Sequence, residues 1–172
     1  MAAKLTALAS VMLTLVATTA GAQGVLTERN ISFGMAKTIA ETALDACRKD
    51  GSRVTVIVLD RTGNIRIVLR DDSAAPHTYE NSQRKAYTAL TFRAPSRELA
   101  ERLTKNPGAV AQVYLTGTSA AGGGLPIKVG SEVIGAVGVS RSTSVAGSNV
   151  PGGTRDEACA QLGIDKVADQ LK

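Results

Sequence analysis

The stretch VTVIVLDRTGNIRIVLR, residues 54–70, decides the fold. Its first seven residues are too short and too rich in Val and Ile to favour a helix, and IRIVLR reads as a second strand. Between them, Arg61-Thr62-Gly63-Asn64 supplies a glycine where a tight turn needs positive φ. The two runs therefore predict a β-hairpin, and strands joined so tightly are antiparallel.

Upstream, Ile31, Met35, Ile39, Ala43, Leu44 and Cys47 recur at three- and four-residue spacing, predicting an amphipathic helix within residues 27–50 stopped by Gly51. Downstream, Tyr79, Gln83, Ala86, Tyr87 and Leu90 predict a helix within 76–93, entered through Pro76, His77 and Thr78. PSRELAERL then predicts a shorter helix with Ser96 as its cap, broken at Asn106-Pro107-Gly108. Residues 110–114 read equally as a short strand or a helical turn. GGGLPIKVGSEVIGAVGVS predicts a second hairpin turning at Gly130-Ser131, with Gly135 and Gly138 leaving room for close backbone approach. After a Ser/Gly/Pro-rich segment, TRDEACAQLGIDKVADQLK predicts a closing helix capped by Thr154, with Asp156 and Glu157 in its first turn. Helix, hairpin, helices, hairpin, helix is the order of an α+β domain with one antiparallel sheet; a doubly wound α/β sheet is the weaker alternative.

The N-terminus has a different character. Lys4 precedes an apolar run over residues 5–17, and Ala20-Gly21-Ala22 is a small-residue cleavage site. Residues 1–22 are expected to be a secretory signal peptide, leaving 23–172 as one domain that is periplasmic or secreted, with no membrane span. Cys47 and Cys159 would then meet an oxidising compartment, where they either form a disulfide joining the first and last helices or stay as buried thiols.

Composition removes several function classes. Net charge is +5, Lys4 carries the leader's single charge, and the excess is dispersed; with no Trp and only 3% aromatics, stacking platforms for nucleic acid are lacking. One histidine and two distant cysteines are too few for a dedicated zinc site. Gly117-Thr118-Ser119-Ala120-Ala121 and Gly138-Val139-Ser140-Arg141-Ser142 both lack the final glycine of a nucleophile elbow, and Gly122-Gly123-Gly124 lacks the ending of a phosphate loop. Asp71 and Asp72 point opposite ways in extended chain, so a structural role, such as pairing Asp72 with Arg70 or Lys85, outweighs a carboxylate dyad.

His77, the lone imidazole, sits at a helix start where it could ligate iron; an exposed or helix-capping histidine is the commoner case. Arg84 and Lys85 would face a carboxylate-bearing ligand or lie in water.

VIVLDRTGNIRIVLRDDSA, RKAYTALTFR, GGGLPIKVGSEVIGAVGVS and PGGTRDEACAQLGID occur in that order and together resemble the HbpS/GlcG-like haem-binding family, also found as the C-terminal domain of PduO-type adenosyltransferases. The resemblance spans essentially the whole chain after the leader. It implies a profilin-like sheet of about five strands with flanking helices, a homo-oligomer, and haem or tetrapyrrole binding or oxidative haem degradation. On this basis Arg70, Arg84, Lys85 and Tyr87 are candidate haem contacts and His77 the candidate iron ligand, with Tyr79, Tyr87, Tyr114 and Met35 as other possible ligands. Binding protein, enzyme and purely structural oligomer all stay open. The chain departs from the family pattern in the longer RSTSVAGSNVPGG after Ser140.

Overall fold

A computed structural model describes residues 24–141 and 152–172. The leader and most of the segment after Ser140 lie outside these residues. The elements are α1 (Phe33–Lys49), β1 (Val54–Asp60), β2 (Ile65–Arg70), α2 (His77–Phe92), α3 (Arg97–Lys105), a 3-10 helix (Pro107–Tyr114), β3 (Gly124–Val129), β4 (Glu132–Arg141) and α4 (Gly152–Asp165). The strands form one fully antiparallel sheet in the order β2-β1-β4-β3. Among the described residues it has four strands rather than about five, because residues 110–114 wind into the 3-10 helix.

β1 is central and buried along its whole length because both sheet faces are covered. Val54, Val56 and Val58 alternate toward a core shared with α1 and α4, including Ile39, Ala43, Val137 and Val139. Ile57 and Leu59 point the other way, onto Ala86 and Ala89 of α2 and Ala136 of β4. α2 therefore lies alone on one face, and α1 and α4 share the other.

Glycines set the α2 spacing. A Cβ built on Gly138 would lie 2.0 Å from the Ser82 carbonyl oxygen, and one on Gly124 would lie 2.1 Å from that of Lys85. No side chain fits there, so α2 rests almost directly on the strand backbones.

The first hairpin turns as expected. Gly63 has φ +89, and its N–H donates to the Asp60 carbonyl at 3.0 Å. The Asp60 carboxylate accepts from the Thr62 N–H, the Thr62 hydroxyl and the Asn64 N–H at 2.7–3.0 Å. Burial works to raise its pKa, but these hydrogen bonds and the nearby Arg66 prevail and hold it below the ordinary 3.8.

On the opposite face, Cys47 and Cys159 form a disulfide with a Cα–Cα distance of 5.6 Å, fastening α1 to α4. α1 begins at Phe33, where the Ser32 hydroxyl accepts from the Met35 N–H, and ends before Gly51 at φ +78. Three local expectations need correction. Ser96 makes no capping bond; its hydroxyl donates to the Ala121 carbonyl and accepts from the Gly124 N–H, pinning the glycine-rich loop. α4 starts at Gly152, so Thr154 lies within the helix, and Asp156 and Glu157 fall beyond its first turn, buried in ion pairs. Asp71, not Asp72, makes the ion pair near the strand exit: it binds Arg48 of α1 at 2.8 Å and raises the Arg48 pKa.

Candidate functional site

α2 presents two contrasting faces. On its inner side Lys85 is 3% exposed, and its ammonium donates to the Val139 carbonyl at 3.0 Å and to Asp156 Oδ2 at 2.8 Å. Arg141, also buried, donates from Nε to Asp156 Oδ1 at 2.8 Å and bonds the Ser52 hydroxyl. The Asp156 carboxylate thus bridges two buried cations, tying α2, β4 and α4 together, and Asp50 adds a second carboxylate 3.7 Å from Arg141 Nη1. The ammonium of Lys85 is turned away from the surface that carries His77 and Arg84.

The outer side is a row of polar residues spaced three or four apart. His77 is the first residue of α2 and is exposed. Together with Glu80, Asn81 and Arg84, and with Thr118 and Ser119 from the loop before β3, it lines a depression of about 390 Å³. Helical rise separates His77 from Arg84 by two turns, about 10 Å. Arg84 pairs with Glu80 at 2.5 Å, Asn81 donates to the Ser140 hydroxyl at 3.0 Å, and the Ser119 N–H donates to the Thr88 hydroxyl at 2.8 Å. The last of these clips the loop onto the helix, and Asn81 ties the helix to β4. The imidazole of His77 makes no hydrogen bond among the described residues.

Tyr87, one turn beyond Arg84, is exposed, and its ring packs on Gly63 and Gly117; a Cβ on Gly117 would lie 3.2 Å from it. It lines a second recess at the far end of α2. Arg70 sits at the end of the edge strand and donates to the Ala74 carbonyl, which orders the link into α2. Of the alternative ligands, Tyr79 is exposed but two residues from His77 and so on another side of the helix, and Tyr114 is 81% exposed on the 3-10 segment. Met35 packs against the α1 and α4 core, across the sheet.

Among the described residues no group of three or more His, Cys, Asp or Glu could hold a bare metal ion. A haem iron asks for less, because the porphyrin supplies four nitrogens and the protein need add only axial ligands. His77 offers one imidazole nitrogen of that kind, and Arg84 lines the same depression as a cation.

Asn81, Thr118 and Ser119 had no distinguishing signal in the sequence. Thr118 and Ser119 reach the site only because the loop folds back over α2. Asp156 and Arg141 were likewise missed, since their meeting depends on α4 crossing the end of β4.

Comparison with known proteins agrees with this architecture. Protein GlcG of Escherichia coli K12 is 33% identical over 110 residues, covering 64% of this chain and 81% of GlcG. The crystal structure of HbpS superposes with a TM-score of 0.72 at 33% identity, covering 82% of this chain and 92% of that one; a double mutant of Streptomyces reticuli HbpS gives 0.71 at 33% identity over 82% and 89%. A PduOC:heme complex shares the fold with a TM-score of 0.68 at 23% identity, covering 80% and 94%. The family model described as "Haem degrading protein HbpS-like" matches residues 31–165, from the strap before α1 to the end of α4, and the chain belongs to that HbpS-like family.

Proposed function

We propose that this protein binds haem or a related tetrapyrrole on the outer face of α2, with His77 toward the iron and Arg84 toward a propionate. The observation that carries this reading is the shared depression: an imidazole without a hydrogen-bond partner among the described residues and a guanidinium two turns away line one wall. Tyr87 extends the same face with an aromatic ring, and Arg70 steadies the entry to α2. Lys85 acts behind the site, since its ammonium is held by Asp156. The family's description and the haem-bound structural relative support the ligand class.

Export through the leader in residues 1–22 fits the Cys47–Cys159 disulfide, which an oxidising compartment preserves. No described helix is long and apolar enough to cross a membrane. The exposed Val110, Tyr114 and Leu115 offer a surface for self-association, which light scattering would detect.

Hemin titration followed by absorbance tests the binding reading. Wild type is expected to give a saturable Soret shift, and His77→Ala to weaken it by about tenfold or alter its position. No saturable change in wild type would refute haem binding.

The family description favours one second reading, oxidative haem breakdown, in which the cofactor supplies the oxygen chemistry and the chain orients it. Progressive loss of the Soret band with a reductant in air would support turnover. A stable band would leave binding alone.

A further inference from the structure

We propose that the recess at the C-terminal end of α2 is a second binding site, for a small anion carrying a carboxylate or phosphate group. Its volume is about 280 Å³, and it is lined by Arg61 and Thr62 of the first hairpin turn, by Tyr87, Leu90 and Thr91 of α2, and by Arg93 just beyond the helix. That is the low end of the range for small-molecule pockets, suited to a ligand of a few heavy atoms.

Arg93 points to the ligand's charge. Among the described residues it is the one non-glycine at positive φ, with φ 55 and ψ 29. Helices commonly end on this left-handed conformation, but glycine usually occupies it because a Cβ is disfavoured there. Arginine stands here despite that penalty, and its side chain makes no ion pair or hydrogen bond among the described residues. The dipole of α2 favours a cation at this end. It does not explain why that cation shares a polar recess with a second guanidinium.

The local charges leave Arg93 uncompensated. Arg61 contacts Glu28 through Nε at 3.4 Å and Glu132 through Nη1, and Arg29 lies 3.9 Å from Glu132. Two arginines thus balance two glutamates. Arg61 Nη2 and the hydroxyls of Thr91 and Tyr87 have no partner among the described residues, whereas the Thr62 hydroxyl is engaged by Asp60 and Asn64. Two guanidinium groups and two hydroxyls line one small recess, a donor-rich set of the kind that recognises carboxylate and phosphate.

Tyr87 borders the haem-binding face, but this recess shares no lining residue with the His77 depression. α2 has 16 residues, so about 24 Å of helix separates His77 from Arg93, more than the width of a porphyrin. One tetrapyrrole held by His77 cannot place a propionate on Arg93.

The full chain can be titrated at constant ionic strength with sodium malonate and, separately, with sodium phosphate, using sodium chloride as control. Saturable amide shifts at Thr62, Thr91 and Arg93 are expected with at least one of these anions and not with chloride. The anion that saturates at lower concentration identifies the preferred group. Arg93→Gly keeps the left-handed backbone without strain; its Tm should stay within about 2 °C of wild type while anion affinity falls at least about tenfold. Arg93→Lys, which keeps the charge without the planar fork, should be intermediate. Absence of saturation with both anions up to about 50 mM, or equal saturation in Arg93→Gly, would overturn the proposal. Hemin binding by Arg93→Gly should match wild type, so this test and the haem test fail independently.

Discussion

Arg84 and Lys85 are neighbours in the chain, yet they meet opposite environments. Lys85 is sealed between α2, β4 and α4 with its charge neutralised by Asp156, while Arg84 is exposed and holds only Glu80, one turn away. A residue's step of about 100° around a helix is enough to separate the two roles. The inner cations belong to a buried network that specifies how the helices pack. The outer cations, Arg84 and Arg93, border recesses and remain available to ligands. Charge type says little about function here; the face it occupies says much more.

The largest effect should come from breaking the inner network. Asp156→Ala leaves Lys85 buried without its carboxylate and Arg141 with only the longer contact to Asp50, and is expected to cost about 3–5 kcal/mol in urea unfolding. A loss under about 1 kcal/mol would show that water reaches these cations and that the contrast between the two faces is weaker than drawn.

The disulfide comes next. Replacing both Cys47 and Cys159 with Ser removes a crosslink spanning 112 positions and should cost about 2–5 kcal/mol, read as a lower denaturation midpoint. Hemin binding should persist, because the bridge lies on the face of the sheet opposite α2.

Asp60 gives a smaller effect with a pH signature. Its pKa is depressed in the folded protein, so its contribution is present at neutral pH and fades as pH falls through the acid range below 3.8. Asp60→Asn should lose about 1 kcal/mol at pH 7, and the difference from wild type should narrow as pH falls below 3.8. A gap constant with pH would mean that the carboxylate charge is not what steadies the turn.

The smallest stability change belongs to the outer face. Arg84→Ala should alter unfolding by no more than about 0.5 kcal/mol, since its ion pair with Glu80 is exposed. Hemin affinity should nevertheless drop. Marked destabilisation would place Arg84 with the inner network after all.

The chain sequence determined most of the architecture through local patterns. The β-branched runs around Gly63 made the first hairpin legible, and the three- and four-residue apolar spacing marked α1 and α2. Gly135 and Gly138 signal close backbone approach without naming the partner. His77 and Arg84 could be picked out as candidates because the chain has only one imidazole and because two turns of helix join them. Where local signals pointed to structure that does not form, a distant partner had prevailed: Ser96 left its cap for the Ala121 carbonyl and the Gly124 N–H, and Asp156, beyond the first turn of α4, pairs with Lys85 and Arg141. Only the tertiary structure decided which cations were buried, which loop residues joined His77, and that Arg61 and Arg93 share a recess. Those outcomes depend on segments far apart in the chain meeting across a sheet, and no short-range spacing encodes where such segments come together.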